Sequence, residues 1–228
     1  MIRAIVFDFD GTIMDTESVA YDAFRGIFNE YGLELSLAKW AKGIGTWGAY
    51  DPYKDLEEQT GLLLNREELN RQYEMSFAEK VKNVEVRPGV VAVLEEASRR
   101  GFGLALATSS YRKNVIPHLE EKGLLHYFQA IHTADEVEKV KPDPALYKLA
   151  IASLNVRPEE AVAIEDSVNG LRAAKAAGLF GLAVPNELTA FMDFSEADLT
   201  IPTSLAQLPF DEWMGRLHKQ GAPKPARG

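Results

Sequence analysis

The chain has 228 residues, 46% hydrophobic and 26% charged, the balance of a globular protein with room for one domain and a smaller insertion. Cysteine is absent, which excludes disulfides, thiolate metal sites and cysteine nucleophiles, and the four histidines stand singly, giving no support to a zinc site. The net charge of −9 argues against nucleic-acid binding by phosphate neutralisation and against long-range attraction of anions, so a phosphate site has to be local and metal-assisted.

The chain enters a strand almost at once, which leaves no room for a secretory signal. No apolar stretch approaches the ~20 residues of a membrane span. A cytoplasmic monomer with neither membrane nor nucleic-acid partners is expected. Residues 2–7 are apolar apart from Arg3, and Ile5, Val6 and Phe7 have the unbroken β-rich pattern of a strand buried in a parallel sheet. Asp8, Phe9, Asp10, Gly11 and Thr12 follow. Carboxylates at the carboxyl end of such a strand stand where open α/β sheets bind ligands, and Gly11 permits a tight turn. One can act as nucleophile while its neighbour handles protons, provided their repulsion is offset. Magnesium, which favours hard oxygen ligands, is the usual remedy.

Residues 16–31 have helical spacing in Val19, Ala23, Ile27 and Phe28, with Gly32 as C-cap. Helix-like patterns continue over 36–42, 49–60 and 66–81, punctuated by Gly61 and the cap Asn65. No strand pattern interrupts them, so 17–83 is an α-helical insertion between the first two strands. Pro88 and Gly89 mark re-entry to the core, and a helix runs to Arg100. Strand 103–107 ends in Thr108, Ser109 and Ser110, with a helix from Tyr111; hydroxyls and free N–H groups there suit an anion, although such residues are also ordinary caps. After a strand at 130–133, Lys141 and Pro142 precede Asp143 as N-cap, Pro144 as first helical residue, and a helix over 145–154. Strand 161–164 closes on Glu165, Asp166 and Ser167, then Val168, Asn169, Gly170 and helix 171–177. Strands at 181–184 and 199–201 complete a set whose alternation with helices indicates a parallel sheet. The expected division is a Rossmann-like α/β core of 1–16 and 84–218, a helical cap of 17–83, and a disordered tail of 219–228, rich in Pro, Gly and Lys/Arg from Gln220 onward.

Two short motifs mislead. As a calcium loop, the stretch from Asp8 would need a third ligand at Thr12, Gly where Ile13 stands and a closing acid where Val19 stands. Glu17 falls two residues short of that closing position, and a strand precedes where a helix should. Gly43, Gly45 and Gly48 have the spacing of a dinucleotide fingerprint, but 37–42 before them looks helical rather than extended. A glycine-rich loop in the insertion can instead bring its backbone close to the active site. Trp40, Trp47, Tyr50 and Tyr53 either wall a substrate pocket or fill the insertion's own core.

The Asp8-to-Thr12 motif, Thr108 after a strand, Lys141-Pro142, and Glu165-Asp166 after another strand, in that order, are highly specific. The sequence resembles the haloacid dehalogenase superfamily, and most closely its phosphatase and phosphomutase members with a small helical cap; the resemblance runs from residue 2 to about 201. It implies that Asp8 attacks phosphorus to form an aspartyl-phosphate and that Asp10 protonates the leaving alcohol and then deprotonates water. It implies magnesium held by Asp8, Asp166 and the carbonyl of Asp10, with Glu165 supporting the metal through water or orienting Lys141. Thr108 and Lys141 would bind the transferring phosphoryl. Ser109, Ser110 and Asn169 are as suited to capping as to binding. The implied substrate is a small phosphorylated metabolite. Within this family, a dehalogenase would not need Asp10 or the Glu165-Asp166 pair. A β-phosphoglucomutase-like enzyme would carry a cap arginine for a second phosphate, and none stands between Arg25 and Arg66. Lys42 or Lys54 could substitute, without the bidentate fork that suits phosphate. A phosphate-dependent binding or regulatory module would be expected to lack one of these acids.

Overall fold

The computed structural model describes residues 1–220. β1 (Ala4–Phe7) leads into α1 (Thr16–Glu30), α2 (Leu37–Trp40), α3 (Pro52–Thr60) and α4 (Arg66–Val81). There follow α5 (Val90–Arg99), β2 (Gly103–Ala107), α6 (Arg112–Glu121), β3 (Ala130–His132) and α7 (Ala145–Ser153). The chain continues through β4 (Ala161–Glu165), α8 (Val168–Ala176), β5 (Phe180–Ala183), β6 (Leu199–Thr200) and α9 (Phe210–Gln220). Among the described residues the strands form one parallel sheet ordered β3-β2-β1-β4-β5-β6, the Rossmann-like arrangement expected. Chain order reverses between β1 and its neighbours β2 and β4. Ligands of open α/β sheets bind at such a switch point, outside the strands' carboxyl ends.

The sheet is buried on both faces, and alternate residues differ in size accordingly. Ile5, Phe7, Leu104, Leu106, Val162 and Ile164 pack against α5, α6 and α9. Ala4, Val6, Ala105, Ala107, Ala161 and Ala163 face α7 and α8, where small side chains let those helices approach closely. The insertion has a cluster of its own, centred on Phe24, Phe28, Leu35 and Leu56. No helix among the described residues is long and apolar enough to cross a membrane.

Boundaries moved for local reasons. α3 starts at Pro52 because Asp51 accepts the N–H groups of Tyr53 and Lys54. α7 starts at Ala145, with Pro144 in the N-cap position and Asp143 accepting the Ala145 N–H. α8 starts at Val168, capped by Ser167, so Asn169 and Gly170 are helical rather than part of a loop. The segment before Gly43 is α2 followed by a single 3-10 turn, as the dinucleotide argument required. The tail needs correction: α9 was not foreseen, and it carries Lys219 and Gln220 in a helix. Its Phe210, Trp213, Met214 and Leu217 follow an apolar helical period and three of them are buried. The rest of the tail expectation, 221–228, lies outside the described residues.

Candidate active site

Three neighbouring strands deliver their acids and hydroxyls to one place. Asp8 follows β1, Thr108 follows β2, and Glu165 and Asp166 close β4. The turn after β1 needs Gly11, whose φ is +78° and whose missing Cβ would lie 2.0 Å from Asp166 Oδ2; glycine both reaches this conformation and leaves this room.

Lys141 is 1% exposed. Its ammonium donates to Asp8 Oδ1 at 2.5 Å and to Glu165 Oε1 at 2.7 Å, as a buried charge requires. Burial opposes its charge, but Asp8 and Glu165 outweigh burial and hold its pKa above the ordinary lysine value. The Lys141–Pro142 peptide is cis. Glu165, fully buried, also accepts from the hydroxyls of Tyr147 and Ser167. Its oxygens are thus occupied, an arrangement suited to orienting Lys141. Gly170 makes room for it, since a Cβ there would lie 2.0–2.1 Å from the Glu165 carboxyl atoms. Asp166 accepts from Thr12 Oγ1 at 3.3 Å and Asn186 Nδ2 at 2.9 Å.

Asp8, Glu165 and Asp166 are buried and each offers an oxygen within 4.8 Å of the others. One lysine faces three carboxylates. Burial, partly offset by Lys141 and reinforced by Glu165 and Asp10, pushes Asp8 up to about 8. Burial, then the charges of Asp8 and Glu165, puts Asp166 well above the carboxylate range. A cluster of hard oxygen donors whose charge is under-compensated fits a divalent cation such as magnesium.

Asp10 is surrounded by hydroxyls: Thr16 donates at 2.7 Å, Ser110 at 2.5 Å and Thr108 at 3.4 Å. Thr108, expected to face a phosphoryl group, turns its buried hydroxyl to Asp10 and accepts the Ser110 N–H. Ser109 and Asn169 reach the insertion. The Ser109 hydroxyl donates to Gly45 O at 2.9 Å, and Asn169 Nδ2 to the carbonyls of Ile44 and Lys42 at 2.8 and 3.3 Å. The glycine-containing loop therefore does approach the site through its backbone.

Between insertion and core lies a cleft of about 640 Å³ that opens on Asp8 and Asp10, within the range of small-molecule sites. The four aromatics divide between the two roles considered. Trp47 lines the cleft and meets Tyr111 at 4.9 Å between ring centroids. Trp40 lines it while also packing on Phe24. Tyr50 and Tyr53 belong to the insertion's core, bonded to Asp55 and Asn70. Lys42 and Lys54 are not among the lining residues, and Lys54 pairs with Glu58.

Sequence reasoning missed Tyr147, Asn186, Glu17 and Arg87. Glu17 lines the cleft from the first turn of α1. Arg87 donates to the carbonyls of Gly11, Val184, Pro185 and Thr203, tying the β1 turn to the segment after β5. A charged residue beside Pro88-Gly89 carries no local mark of that role.

Comparison with known proteins agrees with this architecture. The haloacid dehalogenase-like hydrolase family matches residues 5–184. The "Putative phosphatase YhcW" of Bacillus subtilis is 44% identical over 220 residues, 96% of this chain and 100% of that protein. The "Phosphorylated carbohydrates phosphatase" of Thermotoga maritima is 33% identical over 181 residues, 78% of this chain and 82% of the relative. The crystal structure of CbbY from Rhodobacter sphaeroides in complex with phosphate superposes with a TM-score of 0.71 at 33% identity, covering 91% of this chain and 96% of that one. With its sheet order, its strand-end acids and this family match over most of its length, the chain belongs to the haloacid dehalogenase-like hydrolase family.

Proposed function

We propose that this protein is a magnesium-dependent phosphatase that hydrolyses small phosphomonoesters, sugar phosphates or related metabolites, through an aspartyl-phosphate on Asp8, with 17–83 acting as a cap. The observation that carries the reading is Asp8 itself. It is a buried carboxylate at the end of the central strand, paired with Lys141, beside Asp166, and open to the cleft. That two relatives are phosphatases by name supports phosphate-ester hydrolysis.

In the proposed reaction an Asp8 oxygen attacks phosphorus as the bond to the alcohol oxygen breaks, and Asp10 gives that oxygen its proton. Asp10 then takes a proton from water, whose oxygen attacks phosphorus; the bond to Asp8 breaks and inorganic phosphate leaves. Hydroxyls of Thr16, Thr108 and Ser110 hold Asp10 in place for both transfers. Lys141 keeps Asp8 oriented and offsets charge on the phosphoryl oxygens. Asp8, Asp166 and the Asp10 carbonyl would hold the magnesium ion, which supplies charge stabilisation to the transferring phosphoryl group.

The runner-up is a sugar phosphomutase. Against it, no lysine, arginine or histidine of the insertion lines the cleft among the described residues, so the insertion offers no clamp for a second phosphate. A non-enzymatic phosphate-binding module would not need the full set of acids, and all are present. Incubation with a hexose 1-phosphate and magnesium, followed by ³¹P NMR, is expected to give inorganic phosphate without the 6-phosphate isomer, with or without added hexose bisphosphate. Chelation should abolish turnover and magnesium restore it. Dominant 6-phosphate would overturn the hydrolase reading, and undiminished turnover in chelator would overturn the metal.

A further inference from the structure

We infer that Asn186 is a positioning residue for Asp166, and that the insertion, resting on Leu188 beside it, sets how tightly the acid cluster holds its cation. This rests on the proposed role of Asp166 as a magnesium ligand and concerns what decides the affinity there.

Asn186 is buried, and both polar atoms of its side chain are engaged. Its Oδ1 accepts the N–H groups of Leu188 and Thr189 at 2.9 and 3.1 Å and the Thr189 hydroxyl at 3.2 Å. Thr189 Oγ1 in turn accepts the Asn186 N–H at 3.0 Å. The amide oxygen is thus fixed toward its own turn, which leaves Nδ2 aimed at Asp166 Oδ2, at 2.9 Å. With Thr12 donating to Oδ1 at 3.3 Å, both oxygens of Asp166 are held by neutral donors. Such donors orient a carboxylate without cancelling the charge that a cation needs.

Two residues beyond Asn186, Leu188 forms a small apolar cluster with Ala41 and Ile44 of the insertion, with Trp40 and Met192 packed against it. Ser167, the residue after Asp166, lies against Gly45, where a Cβ would stand 2.3 Å from Ser167 Oγ. Asn169 and Ser109 pin this backbone by donating to the carbonyls of Ile44 and Gly45. The insertion therefore bears on both segments that place Asp166: its own strand end and the turn that holds its carboxylate. No helix or strand stiffens residues 185–192, so their order depends on such contacts. Unseating the insertion would expose Leu188, loosen the turn and release Asn186 from its aim. Coupling of this kind is reciprocal, so a cation that fixes Asp166 also favours the seated insertion.

Titration calorimetry of the full chain with magnesium chloride reads the affinity without turnover. Asn186→Ala is expected to weaken magnesium binding about 10- to 100-fold, the usual cost of removing a group that orients a metal ligand. Leu188→Ala, which removes only apolar atoms, is expected to weaken it about 5- to 10-fold, the low end of coupling between sites. Leu188→Met, of like volume, should restore it. Reciprocity supplies a readout that a merely structural contact would not move: magnesium should slow hydrogen exchange over residues 41–46 in wild type and have little effect there in Leu188→Ala. If Asn186→Ala does not fold, the Leu188 pair and the exchange measurement decide. Wild-type affinity in Leu188→Ala, or equal slowing of exchange in both proteins, would reduce the seam to a structural contact and overturn the coupling. Wild-type affinity in a folded Asn186→Ala would overturn the role of Asn186. Absence of magnesium binding by wild type would overturn the metal reading, and the inference with it.

Discussion

Arg87→Met tests how far the site depends on a residue that touches none of its acids. The substitution keeps most of the aliphatic stem and removes every donor. The guanidinium bonds lost run to the carbonyls of Gly11, Val184 at 3.0 Å, Pro185 at 2.9 Å and Thr203 at 2.7 Å. Thr203 lies at an exposed contact and regains water. The other three are part-buried, and each is worth about 1 to 1.5 kcal/mol net, near the low end for a charged donor. The expected loss is therefore about 3 to 4.5 kcal/mol, below the 5–15 kcal/mol roughly typical of domains, so the variant should still fold. With a urea slope of about 2.5 to 3 kcal/mol/M for a chain of this size, the midpoint should fall by about 1 M or somewhat more. Activity in the absence of urea should fall too, with a raised magnesium requirement. Gly11 carries the turn after Asp8, and Pro185 adjoins Asn186, which bonds Asp166 at 2.9 Å. Arg87→Lys, a point charge without the fork, should recover less than half of the loss. A midpoint shift below about 0.3 M, or full activity at low magnesium, would refute the reasoning.

Asp8→Asn is expected to fold and to lose nearly all turnover, because an amide is a poor nucleophile and a poor metal ligand; substantial steady-state phosphate release by a clean preparation would remove the covalent route. Asp10→Asn keeps the main-chain carbonyl and should lose most rate on esters of high-pKa alcohols, so a uniform loss across leaving groups would count against its acid role. Gly170→Ala would place a methyl 2.0 Å from a Glu165 carboxylate already held by Lys141, Tyr147 and Ser167. It should cost about 1–3 kcal/mol, a Tm drop of roughly 3–10 °C, together with activity. Gly26→Ala, where nothing lies within 4 Å, should instead stabilise α1 by about 0.5–1 kcal/mol, and equal effects at the two glycines would refute the packing argument.

Some of this was legible in the sequence because it is local. A strand buried on both faces in a parallel sheet reads as an apolar run, and the acids and hydroxyls proposed for the chemistry stand immediately after such runs at Asp8, Thr108 and Glu165-Asp166. The helices α1 to α4 between β1 and β2 were equally plain, since that stretch has no strand pattern to compete with its helical spacing. Even α9 had its period in Phe210, Trp213, Met214 and Leu217, hidden by the Pro/Gly-rich residues that follow. Other features depend on which strands become neighbours and how the insertion settles on them, and no local period encodes that. Ser109 and Gly45 are 64 residues apart, Arg87 and Val184 97, and Asn169 and Ile44 125. Only the tertiary structure turned Ser109 and Asn169 toward the insertion, gave Arg87 its carbonyls, and split the aromatics so that Trp47 lines the cleft while Tyr50 and Tyr53 pack inside. A hydroxyl, amide or guanidinium takes whatever partner the fold brings within about 3 Å, so its role follows from the packing of distant segments rather than from its own neighbours in sequence.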